Sequence, residues 1–264
     1  MLRSLAIDGS PGLRGIQDLK IDFEYPLTVI CGRNGCGKTT VLALSALGFH
    51  SPEDHAPLNA RRRPKLGQGN SHYTFSDFFF RGPSDPDITG VEISWNYQGT
   101  KEIKIRKQTD KWMHYERRPE RPVHYLGVVR SIPAVEQNVL RSRFKANYNS
   151  GKSWSLNSEF CSRLTDIMGR PYDEAGVMSS DRYFMRRCTS GNSYSSFNMG
   201  AGEDILIDFL YMLQESPIGS MLVVEEIELG LHPEALISLA RHLQEVIYNK
   251  KLQIIVSPYA GSRV

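Results

Sequence analysis

The sequence predicts an α/β fold built on a buried parallel sheet, and three observations lead there. Leu27–Cys31, Met221–Val224 and Leu252–Val256 are short, continuous apolar runs rich in branched side chains, the pattern of strands covered on both faces. Lys38–Leu47, Gly202–Gln214 and Pro233–Val246 carry apolar residues at helical spacing. A glycine-rich loop joins the first of these strands directly to the first of these helices.

The remaining elements follow in order. Leu2–Asp8 and Ile16–Phe23 read as strands on either side of the turn cluster Gly9-Ser10-Pro11-Gly12. From Ser51 to His72 the composition turns polar and basic, which predicts a loop or mobile insertion. Thr89–Tyr97 and Lys101–Lys107 alternate as an antiparallel pair does, and His124–Val129 reads as a further strand. Ala134–Phe144 and Ser158–Met168 have helical patterns, separated by the polar stretch Lys145–Ser155. Tyr183–Arg187 reads as a strand and Gly191–Ser196 as loop. No repeat is visible. The expected organisation is one domain over 1–264, with 1–50 and 197–264 forming the core and 51–196 an inserted β/helical lobe.

Composition excludes little. The 264 residues suffice for a sizeable core, and a hydrophobic content of 40% with 23% charged residues is ordinary for a globular chain. A net charge of +3 does not mark a nucleic-acid binder. Cys31, Cys36, Cys161 and Cys188 have neither a C-x-x-C pair nor metal spacing and read as free thiols of a reducing compartment. With no apolar segment of signal-peptide or membrane-span pattern, a cytoplasmic location without membrane contact is expected.

The chemistry begins at Gly32-Arg33-Asn34-Gly35-Cys36-Gly37-Lys38-Thr39, which satisfies G-x-x-x-x-G-K-[ST] at each required position. Glycines let the main chain turn its N–H groups inward, and the helix start adds its positive dipole end. Lys38 can reach β- and γ-phosphates, and the Thr39 hydroxyl can bind Mg²⁺. Cys36 fits there as a small residue; the alternative is a redox-sensitive thiol. Met221–Glu226 is an apolar strand ending in two carboxylates, of which Glu225 suits magnesium and Glu226 an attacking water.

With these residues in view, the chain resembles a known family. Gly32–Thr40 (GRNGCGKTT), Asn198–Glu203 (NMGAGE) and Leu222–Pro233 (LVVEEIELGLHP) look like the Walker A, signature and Walker B/D-loop motifs of ABC-type ATPase heads of the SMC, RecF and OLD group. Gly12–Leu19 resembles the stretch before the loop in those heads, whereas 51–192 matches nothing in them. The resemblance implies a P-loop NTPase fold and ATP with Mg²⁺ as ligands. It further implies a homodimer sandwiching two ATPs, in which Asn198, Gly200, Gly202 and Glu203 of one chain face the nucleotide of the other. On the resemblance Thr40 joins the binding loop, Arg14 lies near the phosphates or is a surface charge, and His232 crosses the interface or caps a helix. Such heads act on DNA or license a separate effector, often a nuclease, in genome maintenance or antiphage defence. The chain also departs from the pattern. Glu225 replaces the usual Asp, Phe75–Arg81 holds no glutamine where one is expected, and Ser257-Pro258-Tyr259-Ala260 lacks the switch histidine. The departures leave a shortened or divergent chain, or slow or lost hydrolysis, as expectations. The alternatives are thus a non-hydrolysing nucleotide-gated scaffold, or a nucleic-acid binder using Arg61–Lys65 and Arg117–Arg121.

Overall fold

The computed structural model describes residues 1–50, 73–82, 84–109, 111–147, 152–180 and 183–259. The expected insertion at 51–72, the basic run Arg61–Lys65, and 260–264 lie outside the described residues.

Along the chain, β1 (Leu2–Asp8), β2 (Leu19–Asp22) and β3 (Leu27–Val29) lead into α1 (Lys38–Leu47) and the short α2 (Phe75–Phe78). Next come β4 (Glu92–Tyr97), β5 (Ile103–Lys107), β6 (Trp112–Met113), β7 (Val123–Leu126), α3 (Asn138–Asn147), β8 (Lys152–Ser155) and α4 (Ser158–Met168). The chain continues through β9 (Glu174–Ser180), β10 (Tyr183–Ser190), β11 (Asn192–Ser195), α5 (Ala201–Glu215), β12 (Met221–Val224), α6 (Pro233–Lys250) and β13 (Gln253–Val256).

Among the described residues, three sheets result. The parallel sheet has the order β3-β13-β12-β7, and two antiparallel sheets have the orders β2-β1-β4-β5-β6 and β11-β10-β9-β8. In the parallel sheet alternate residues feed opposite cores, because successive side chains of a strand point to opposite faces. Leu222, Val224, Ile254 and Val256 pack among α4, α5 and α6. Met221, Val223 and Ile255 pack with α1, β1 and β4. Burial on both faces, at roughly 1.5–3 kcal/mol per large aliphatic side chain, is what the apolar runs of β12 and β13 encode; β3, expected to be covered likewise, lies at the sheet edge with Val29 50% exposed.

The three runs and three helices that predicted an α/β fold lie where expected, give or take a few residues at their ends. The lobe boundary is different. Strands β4 and β5 extend β1 in one antiparallel sheet, and β7 pairs with β12 in parallel. Strands β4 to β7 of the expected lobe therefore belong to the same sheets as the chain's two ends, whereas β8 to β11 form a sheet of their own. Arg118 helps to seam the first group there: buried to 3% exposure, its guanidinium donates to Leu47 O and Phe49 O. Arg121 donates to Gly219 O and to Gln253 Oε1. The expected basic face at Arg117–Arg121 is thus two interior cross-links, with Arg117 exposed beside them. A guanidinium has five donors and can satisfy several buried carbonyls at once.

Gly191–Ser196, expected as loop, contains β11, and β9 was not anticipated at all. Neither strand carries the expected pattern: β9 is buried almost throughout yet includes Gly176, Ser179 and Ser180, and β11 is polar and exposed over its first two residues. In β10 between them Arg186 points inward, 1% exposed, to pair with Asp208 at 2.7 Å. Among the described residues no helix is long and apolar enough to cross a membrane.

Candidate functional site

Parallel pairing brings the C-terminal ends of β3, β13 and β12 to one edge, the edge at which open α/β sheets bind ligands. The glycine loop leaves β3 there, anchored by Ile30 N–H donating to Val256 O at 2.8 Å. Gly35 (φ 79°) and Gly37 (φ 98°) occupy the left-handed region, which side chains other than glycine enter at a cost. Gly37 packs against the hairpin before β2, since a Cβ would stand 2.4 Å from Ile16 Cδ1 and the isoleucine tip would have to shift. Gly37 also caps α1 without a side-chain hydrogen bond, so the first N–H groups of that helix are left for an anion.

Around this loop Gly32, Arg33, Asn34, Gly35, Cys36 and Thr39 are exposed, with Gly37 and Lys38 half-buried. Lys38 Nζ donates to Gly32 O at 2.8 Å and Arg33 O at 3.2 Å, which folds its charge over the loop. Thr40 departs from expectation: it is 3% exposed, and its side chain belongs to the interior because it lies on the face of α1 turned to the core. Arg14 (φ 52°) is exposed. Its guanidinium donates to Phe78 O at 2.7 Å and lies 4.7 Å from the Phe79 ring centre, tying the hairpin at Leu13–Ile16 to the segment after α2.

Glu225 follows β12 directly and is 7% exposed. Its Oε2 lies 3.4 Å from Val128 N–H, while its buried Oε1 has no hydrogen-bond partner among the described residues. A carboxylate oxygen of this kind at a strand end can ligate a hard cation or accept a hydrogen bond from water. The Tyr125 hydroxyl neighbours the same carboxylate, and burial first, then that negative charge, raises its pKa. Glu226 is half-buried with φ 46°; its N–H donates to Ser257 Oγ at 3.3 Å and its carbonyl accepts from Arg130 at 2.6 Å. Neither Tyr125 nor Arg130 stands in a motif, and no signal in the sequence marks them.

At the signature-like segment, Asn198, Gly200 and Ala201 are exposed and Gly202 half-buried, with Gly200 capping α5. Glu203 is a correction. Its carboxylate is buried inward, accepting from Tyr172 and Tyr194 hydroxyls, each at 2.7 Å, and pairing with Arg170 at 2.6 Å. Burial opposes ionisation, but the tyrosine and Arg170 contacts outweigh it and hold the acid below its ordinary pKa. An anion this well satisfied has no reason to face phosphate. His232 is exposed at the start of α6 and makes no side-chain cap.

Gly202 and the turn glycine Gly230 (φ 77°) touch through main chain alone: a Cβ on Gly202 would lie 1.8 Å from Gly230 O. Gly202→Ala is therefore expected to destabilise the protein by roughly 2–4 kcal/mol, since backbone must move to admit the methyl. Thermal unfolding checks this: an unchanged melting temperature would contradict the close approach.

A family model described as an AAA domain matches residues 11–157, more than half of the chain. A second, also described as an AAA domain and naming the AbiEii toxin and type IV TA system, matches 136–257. Septu protein PtuA from Bacillus thuringiensis is 36% identical over 78 residues, 30% of this chain and 18% of that protein, so the match spans less than a fifth of the relative's length. An Smc head domain from Pyrococcus furiosus, solved bound to the C-terminal domain of ScpA, is 12% identical with a TM-score of 0.51, over 98% of this chain and 89% of that one. The SMC head domain from Thermotoga maritima is 14% identical with a TM-score of 0.46, over 98% and 89%. At such identities the likeness to the Pyrococcus furiosus domain is one of fold.

Proposed function

This chain belongs to the AAA-domain family and has the fold of an SMC-type ATPase head, and from that premise we propose that it binds and hydrolyses ATP between two copies of itself. The observation that carries the reading is the shared sheet edge: the glycine loop, Glu225–Glu226 and Ser257 all follow strands β3, β12 and β13 that end together.

In this reading the loop N–H groups and the α1 start cradle the triphosphate, and Lys38 exchanges its two loop carbonyls for β- and γ-phosphate oxygens. The orphaned Glu225 Oε1 and the exposed Thr39 hydroxyl are the oxygen donors that a hard divalent cation accepts, so they would hold Mg²⁺, whose charge offsets that of the phosphates. Glu226 orients the attacking water, taking its proton as the bond to the γ-phosphorus forms and the β–γ bridging oxygen leaves. Asn198 and the bare main chain of Gly200, exposed ahead of α5, would cover the γ-phosphate of the second copy, with His232 at the same interface. Opening and closing of such a dimer would control a separate effector, a nuclease or another DNA-directed protein, in genome maintenance or antiphage defence. The partial match to Septu protein PtuA supports that setting. The Smc head's complex with ScpA is a precedent for a head joined to a separate chain.

The second reading, a nucleotide-gated scaffold without turnover, is favoured by Ser257 standing after β13 where the resemblance leads one to expect a histidine. One experiment separates the two: sedimentation with and without ATP·Mg²⁺ alongside steady-state phosphate release. Hydrolysis predicts an ATP-dependent dimer with measurable release; a dimer with none would select the scaffold, and a nucleotide-indifferent monomer would defeat both.

A further inference from the structure

We infer that Arg130 is a positioning residue for hydrolysis, holding Glu226 in the main-chain conformation from which it addresses water. The inference rests on the hydrolytic reading above and adds a residue that no motif contains.

Glu226 is a non-glycine residue in left-handed conformation, a state that persists only where its surroundings hold it. Three contacts do so: Leu229 N–H, in the same turn, donates to its carbonyl at 3.0 Å, and two more come from just beyond other strands. Ser257, just after β13, accepts its N–H, and Arg130, shortly after β7, donates to its carbonyl at 2.6 Å. The other arm of the Arg130 guanidinium donates to Gly127 O at 3.0 Å and Leu126 O at 3.3 Å, the end of β7 itself. One planar group therefore spans β7 and β12 at the point where both strands finish, and fixes the spacing between their ends. The charge is suited to the place as well. Arg130 is the positive group in the field of Glu225, Glu226 and Glu228. Burial draws its pKa down, against the opposing pull of those three carboxylates. Its donors go to main-chain carbonyls, which leaves the Glu226 carboxylate free to meet water.

Removing the guanidinium should loosen the Glu226 turn while leaving the glycine loop, Lys38 and Thr39 untouched. The test is Arg130→Ala and Arg130→Lys beside the wild type, with phosphate release as a function of ATP and direct binding of a fluorescent ATP analogue. Arg130→Ala is expected to lose roughly 30- to 300-fold in kcat while its ATP affinity stays within about threefold, as for a group acting only on the chemical step. Arg130→Lys, whose single ammonium cannot span both strand ends, should fall between. Millimolar guanidinium should partly restore kcat to Arg130→Ala, a rescue that general loss of stability would not give. If Arg130→Ala fails to fold, the lysine variant carries the test by the same kcat-against-affinity split. Wild-type turnover with an unaltered kcat in the variants, or a loss confined to ATP affinity, overturns the assignment of Arg130 alone. Absence of phosphate release from the wild type overturns the hydrolytic reading and this inference together.

Discussion

Replacing Lys38 by alanine should weaken ATP binding by roughly 10²–10³-fold and remove hydrolysis with it. Lys38 Nζ now donates to Gly32 O and Arg33 O, neutral carbonyls of its own loop. In the proposed complex those bonds are exchanged for bonds to two anionic phosphate oxygens. A hydrogen bond to a charged group contributes about 1.5–3 kcal/mol, so two of them, less what the loop bonds were contributing, leave roughly 3–4 kcal/mol. Each 1.4 kcal/mol is tenfold in affinity. The fold should not suffer, because Lys38 is half-buried at the first position of α1, ahead of the buried residues that begin at Thr40. Calorimetric titration with ATP·Mg²⁺ is the measurement; wild-type affinity in Lys38→Ala would remove the glycine loop from the site.

The second large effect is at Glu226. Exchange for glutamine keeps shape and main chain but takes away the proton acceptor, and a positioned general base is worth roughly 10²–10⁴-fold. Phosphate release should fall by about that factor while ATP still binds, so the ATP-held dimer should accumulate rather than turn over. Sedimentation in ATP should show Glu226→Gln more dimeric than wild type. Equal rates of phosphate release would mean that water is directed by some other group.

How far the sequence could be read depended on whether a residue's job is local. The glycine loop was legible because its constraint lies in consecutive positions: left-handed main chain at Gly35 and Gly37, then a helix with a bare N-terminus. Strands β12 and β13 were legible because burial on both faces leaves only apolar residues. The order β3-β13-β12-β7 was not, since pairing between distant segments leaves no trace in either one. Buried arginines misled most. Arg118 and Arg121 read as part of a basic run, yet each satisfies interior carbonyls, and Arg186, inside an expected strand, pairs with a buried aspartate. Arg130 and Tyr125 were invisible for a related reason, because they act on Glu226 and beside Glu225 from β7 and the turn just after it, far away in the chain. Glu203 was placed with the ligand through the signature resemblance, and only the tyrosines and Arg170 around its carboxylate reveal that it braces the start of α5 from within.

The position of β13 has a consequence for how the protein is made. It is the last of its sheet's four strands to leave the ribosome, yet it lies between β3 and β12. Until it arrives, β3 has no neighbour in that sheet, and the glycine loop has no Val256 carbonyl to tether it. Such a late, distant pairing makes slow assembly, with apolar edges left uncovered meanwhile. On the proposed reading, nucleotide should therefore be ignored by the nascent chain and recognised only once this strand has slotted home, so that a bound triphosphate would report an assembled sheet.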